Sequence, residues 1–175
     1  MSVRKYDHTD RRSVAALDVD TQVQTFAEVQ LQSGMFSWQE RPLAHSVVKH
    51  HDLPHYLEET PPTWDQALVE ILDHRVRGFA AYAYSRWNRR IVLLHMYVDA
   101  GARGQGIGRS LLDEILSAPA ARSAQHVWLE TQTNNVPAIR AYERMGFRVV
   151  GLDQTLYEDR PGAETALYMS RQLND

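Results

Sequence analysis

The rhythm of apolar and polar residues changes several times along this chain, and each change marks an element. Residues 3–6 read as a short first strand, and residues 11–17 as a helix. Over 24–43 the alternation, broken at Ser33-Gly34, predicts two strands joined by a turn. Residues 44–63 are polar and hold Pro54, Pro61 and Pro62, which predicts a loop or a short irregular helix. Residues 67–72 and 77–86 predict two more strands joined at Asp73-His74. A turn at Trp87-Asn88 then leads into the apolar run IVLLHMYV at 91–98, which reads as a buried strand. A polar, glycine-rich loop follows. After it comes a one-sided helix over 106–117 with Ile107, Leu111, Leu112, Ile115 and Leu116 on its inner face.

Pro119 marks a break, and HVWLETQ at 126–132 predicts another strand. Strand, helix and strand at this spacing form a βαβ unit, so these two strands are expected to be parallel with a right-handed crossover. A second helix has clear ends: Asn134 or Asn135 can cap it, Pro137 suits its first turn, and Gly146 suits the position just past its end. Strands near 148–151 and 165–170 close the chain. The expected fold is one α/β domain over 1–175, with antiparallel strands in front and a parallel pair at the glycine-rich loop.

Composition adds limits. A chain of 175 residues fits one domain with a normal core. The net charge of −3 offers no basic surface for nucleic acid. Cysteine is absent, which removes disulfides, thiolate metal sites and cysteine nucleophiles together. MSVRKYDHTDRR lacks an apolar signal core, and no apolar run reaches membrane-spanning length, so a soluble, cytoplasmic protein with no membrane partner is expected.

The loop YVDAGARGQGIG at 97–108 carries the chemistry. A strand feeding glycines at a helix N-terminus can hold a phosphate, because first-turn N–H groups point outward, the helix dipole favours negative charge, and glycines admit close approach. Arg103 and Arg109 add positive charge beside it. A flexible surface connection need not sit between a buried strand and an amphipathic helix. A nucleoside-triphosphate loop needs Gly-Lys-Ser/Thr, whereas Arg109 follows Gly108. A dinucleotide fold needs G-x-G-x-x-G; Gly104, Gly106 and Gly108 give G-x-G-x-G, although Glu130 could mimic the ribose-binding acid.

The remaining match is to the Q/R-x-x-G-x-G/A pattern, which RGQGIG fits, and the chain resembles the GNAT superfamily of acyl-CoA N-acyltransferases. NNVPAIRAYERMGF at 134–147 is similar to that superfamily's second signature. A narrower resemblance, to streptothricin acetyltransferases, covers roughly the last 80 residues: LETQTNNVPA, YERMGF, Gly151, Asp153, Tyr157 and ETALYMS. The resemblance implies a mixed central sheet of about six to seven strands flanked by helices, with a parallel pair splayed at an acetyl-CoA site. It also implies roles. The backbone of Met96 and Val98 would bond the pantetheine arm. N–H groups of Arg103, Gly104, Gln105, Gly106, Ile107 and Gly108, with Arg109, would hold the pyrophosphate. Asn135 would contact pantetheine or cap its helix. Tyr142 would protonate the departing thiolate, or simply pack in the core with Ile139 and Met145.

An alkylamine acceptor arrives protonated, so a base, a water relay or desolvation must free its lone pair. The streptothricin enzymes carry acidic residues in the strand before the loop, where this chain has Leu94 and His95; His95 is the candidate base, and Glu130 and Asp99 are others. The cluster His45, His50, His51 and His55 fits no metal spacing, and no metal is expected. Of the tryptophans, Trp38, Trp64, Trp87 and Trp128 suit core or cleft walls, with one lining the acceptor site. The expected activity is acetyl transfer from acetyl-CoA to a primary amine of a small molecule, by direct attack with both substrates bound. A protein or peptide acceptor, or a non-catalytic acetyl-CoA-binding module, are the alternatives. A homodimer is the default expectation for an assembly.

Overall fold

The computed structural model describes residues 2–157 and 164–173. In chain order the strands are β1 (Ser2–Lys5), β2 (Thr21–Gln32), β3 (Met35–Lys49), β4 (Gln66–Leu72), β5 (Arg75–Ser85), β6 (Arg90–Val98), β7 (His126–Gln132), β8 (Arg148–Asp153) and β9 (Ala166–Gln172). The helices are α1 (Arg11–Ala15), α2 (Leu53–Tyr56), α3 (Ile107–Ser117) and α4 (Val136–Arg144). These residues divide into two compact units, 2–20 with 50–125, and 21–49 with the described part of 126–173. The mixture of sheet and helices is α/β, and the units contribute four and three sheet strands, seven in all.

In the first unit the strands run β1-β4-β5-β6, each antiparallel to its neighbour. The β4–β5 turn places both Asp73 and His74 at positive φ, which is the backbone a tight two-residue hairpin needs. One face of these strands carries Val69, Phe79 and Ala81 against Val14, Leu17, Val19 and Leu53. The other face receives α3, whose Ile107, Leu111, Leu112 and Ile115 are buried as the periodicity predicts. Gly78 sets how closely α3 approaches. A β-carbon there would lie 2.5 Å from Ile107 Cγ2 and 3.0 Å from Leu111 Cδ1.

In the second unit β9 pairs antiparallel with both β7 and β8. On β7, Val127, Leu129 and Thr131 are buried while Trp128, Glu130 and Gln132 are half-buried, the period of a strand. The β2–β3 hairpin joins this unit through Ala27 N–H, which donates to Thr133 O at 2.7 Å. Helix α4 begins at Asn135, carries Pro137 in its first turn and buries Val136 and Ile139.

Three expectations change. The helix expected over 11–17 ends at Ala15. Residues 44–49, expected as loop, extend β3, because the hairpin resumes pairing past a bulge at Val23/Thr25, with Val23 opposite Val47 and Thr21 opposite Lys49. Backbone pairing, rather than side-chain burial, holds this stretch, and even Val47 and Val48 stay exposed, so no buried stripe marks it. The run 91–98 is not buried throughout: Ile91 and Leu93 are, while Leu94 is 37% exposed. Among the described residues, no helix is long and apolar enough to cross a membrane.

Candidate active site

The glycine-rich loop leaves β6 through a short 3-10 turn at Ala100–Ala102 and enters α3 at Gly106. Gly104 and Gly106 both have positive φ, +79° and +83°, and a β-carbon on either would meet nothing within 4 Å. Their space is therefore open, and only glycine adopts this path without strain. No side chain caps α3. Its first-turn N–H groups have no partner within the helix. A β-carbon on Gly108 would touch Met96 Sδ at 3.7 Å and Val98 Cγ2 at 4.0 Å, so the loop lies directly over the end of β6.

The two arginines differ in use. Arg103 turns its guanidinium back onto backbone carbonyls, donating to Val19 O at 3.0 Å, Asp20 O at 2.9 Å and Val98 O at 3.3 Å. It thereby anchors the loop and leaves its backbone as the part that could meet a ligand. Arg109 lies on the first turn of α3. Open glycines, first-turn amides and a neighbouring cation suit a pyrophosphate.

His95 lies on β6 opposite Ala81, on the face away from α3. Aromatic rings surround it: Tyr56 at 4.6 Å, Trp64 at 5.6 Å in edge contact, and Tyr97 at 6.0 Å in a stack. Burial lowers its pKa to about 4, against a smaller opposing pull from Glu59, so the ring is neutral at pH 7. Of the other candidate bases, Asp99 is paired with Arg77 at 2.8 Å and also accepts from the Asp18 N–H. Glu130 accepts the Tyr157 hydroxyl, which in turn accepts from Gln132 Nε2 at 2.9 Å.

In the second unit Tyr142 lies on α4, its ring edge-on to Phe147 at 5.6 Å. Burial pushes its hydroxyl pKa up to about 12, which keeps the proton on it. Asn135 occupies the N-cap position of α4 yet makes no side-chain capping bond, so its carboxamide is not spent on the helix end. Asn134 behaves differently: its Nδ2 donates to Glu164 Oε1 at 2.8 Å, and the same oxygen takes Lys49 Nζ at 2.6 Å.

The histidines of 45–55 do not converge. His50 pairs with Asp20 at 2.7 Å, His51 packs on Tyr97, and His55 on Tyr56. Among the described residues no three potential ligands are disposed to hold a metal. The segment holding Tyr56, Glu59 and Trp64 did not stand out in the sequence as a unit, because its link to β6 is purely tertiary. Its one local signal is a carboxylate pair set among aromatics in a loop.

The chain belongs to the acetyltransferase (GNAT) family, whose profile matches residues 27–147. It is similar to the streptothricin acetyltransferase of Streptomyces lavendulae, 46% identical over 99 residues, 56% of this chain and 52% of that protein. The chain thus spans about half the length of the curated relatives it matches. A crystal structure of nourseothricin acetyltransferase is similar along its length, with TM-score 0.81, 32% identity, and coverage of 99% of this chain and 98% of that one. An acetyltransferase from Bacillus anthracis str. Ames, solved in complex with acetyl coenzyme A, shares the fold with TM-score 0.85 at 22% identity, covering 98% of this chain and 99% of that one.

Proposed function

We propose that this chain transfers the acetyl group of acetyl-CoA to a primary amine of a small cationic molecule of the streptothricin kind. The observation that carries the reading is the loop over β6, where two positive-φ glycines face open space at the start of an uncapped helix. In this reading the N–H groups from Arg103 to Gly108, with the Arg109 guanidinium, hold the pyrophosphate, and the Met96 and Val98 backbone aligns the pantetheine arm. Asn135, free of capping duty, is a further contact to that arm. The thioester supplies an acyl group already activated for attack by an amine.

The chain's own residues then manage protons and water. Tyr142, held protonated by burial, donates to the departing sulfur. His95 is a neutral acceptor at working pH and orients the amine through its lone pair. Drawing a proton directly from an ammonium of ordinary pKa onto an imidazole near 4 runs uphill by roughly 8 kcal/mol. Deprotonation is therefore assigned to a relay through water or to desolvation of the amine, and His95 to positioning it.

Thiol release from acetyl-CoA by the purified protein tests the reading, with streptothricin, simple alkylamines and peptides offered in parallel. Release with small cationic amines is expected. Release with peptides alone, or with none of them, overturns it.

A further inference from the structure

Resting on that reading, we propose that the face of β6 that carries His95 is the acceptor's docking site, where Glu59, with the aromatic wall of Tyr56, Trp64 and Tyr97, receives an ammonium group of the substrate other than the amine that is acetylated. Two adjacent acids in one loop are used in opposite ways. Glu58 reaches outward to Arg11 at 3.0 Å and is two-thirds exposed. Glu59 is half-buried, and its Oε2 is enclosed without a hydrogen-bond partner. An acceptor atom taken out of water and left unpaired is costly, and an incoming cationic donor would relieve that cost.

The surroundings suit such a donor. Glu59 lies in the short stretch between Tyr56 and Trp64, and both of those rings pack on His95, which holds the acid's backbone beside the ring cluster. The cluster consists of aromatic faces around a neutral imidazole, with Trp64 also edge-on to Phe79 at 6.2 Å, which fixes its orientation. Aromatic faces attract ammonium groups, and the attraction grows when the cation is desolvated. A carboxylate adds a charge-assisted hydrogen bond and selects for the cation over a neutral isostere. His95, held neutral by burial, adds no positive charge that would repel a cationic ligand.

The rival cluster lies in the second unit, where Trp128 and Tyr168 pack at 5.2 Å near Glu130 and Asp153. Its acids are already served. Glu130 takes the Tyr157 hydroxyl, and Asp153 takes the Thr155 N–H and hydroxyl, each at 2.8 Å. Glu59 differs in having an enclosed oxygen with nothing to bind.

The test compares Glu59→Gln with Glu130→Gln in the full chain, using streptothricin as acceptor. Thiol-release kinetics and equilibrium binding of streptothricin are both measured, with acetyl-CoA binding followed by calorimetry. Glu59→Gln should raise the acceptor KM and dissociation constant at least tenfold, with acetyl-CoA affinity unchanged within twofold. Tyr56→Leu should weaken acceptor binding about fivefold in the same way. Acceptor KM within twofold of the parent in Glu59→Gln overturns the assignment, as does a tenfold rise confined to Glu130→Gln. If the parent binds acetyl-CoA but neither binds nor acetylates streptothricin or any simple amine, the functional reading fails first. That outcome is distinct from failure of this docking site, in which the parent acetylates and Glu59→Gln does so equally well.

Discussion

Burial acts on Tyr142 and His95 with the same physical sense, favouring the neutral form of each, and it fits them for different tasks. Tyr142 keeps its proton up to about pH 12 and remains a donor across the working range. Tyr142→Phe should lower kcat by about 100-fold or more, the usual worth of a general acid, while acetyl-CoA affinity changes less than twofold. Steady-state thiol release with calorimetry separates the two parameters. For His95 the folded pKa, about 4, lies below the unfolded value of 6.5. The unfolded chain therefore binds more protons in that window. The stability this ring contributes is complete above pH 6.5 and is lost as the pH falls towards 4. Between pH 7.5 and 5.0 the parent should lose about 2 kcal/mol by urea unfolding, and His95→Phe much less. Tyr142 stands out in the sequence only through a family motif, and His95 only by its place in the strand before the glycine-rich loop. Nothing local separates Tyr142 from a core residue at the spacing of Ile139 and Met145, and nothing local shows that Tyr56 and Trp64 close over His95.

At the scale of elements, α3 and its loop carry the functional reading, and they were the most legible part of the chain. A helix with Ile107, Leu111, Leu112 and Ile115 on one stripe must bury that stripe, and it does. What the stripe could not reveal is the closeness of the contact, which depends on Gly78 in a different strand. Gly78→Ala places a methyl 2.5 Å from Ile107 Cγ2, so it should destabilise the protein by about 1–3 kcal/mol as overpacking usually does, measured by urea unfolding. Gly106→Ala meets no protein atom. It should instead cost about 1 kcal/mol through its left-handed backbone, and raise the acetyl-CoA KM several-fold while leaving the acceptor KM unchanged. An element defined by pairing rather than burial leaves little trace in the sequence. The end of β3 is largely exposed, Val47 and Val48 included, and its partner lies on β2, some 25 residues earlier in the chain. The run 91–98 likewise does not say which of its faces stays half-open, and here that face holds the His95 ring cluster.

For the whole molecule, the order of motifs carries the family: strand, RGQGIG, strand, then NNVPAIRAYERMGF. The acceptor is not legible, because the residues proposed to choose it, Tyr56 at the end of α2 and Glu59 and Trp64 in the proline-bearing loop after it, follow no periodicity. If both substrates are held together and the amine attacks directly, initial-rate lines for varied acetyl-CoA and acceptor should intersect. Parallel lines would indicate an acetylated enzyme instead. The most direct single measurement is mass spectrometry of streptothricin after incubation with the purified chain and acetyl-CoA. The account predicts one acetyl group added to an amine of the antibiotic, in step with thiol release; unmodified antibiotic in the presence of an acetyl-CoA-bound protein would contradict it.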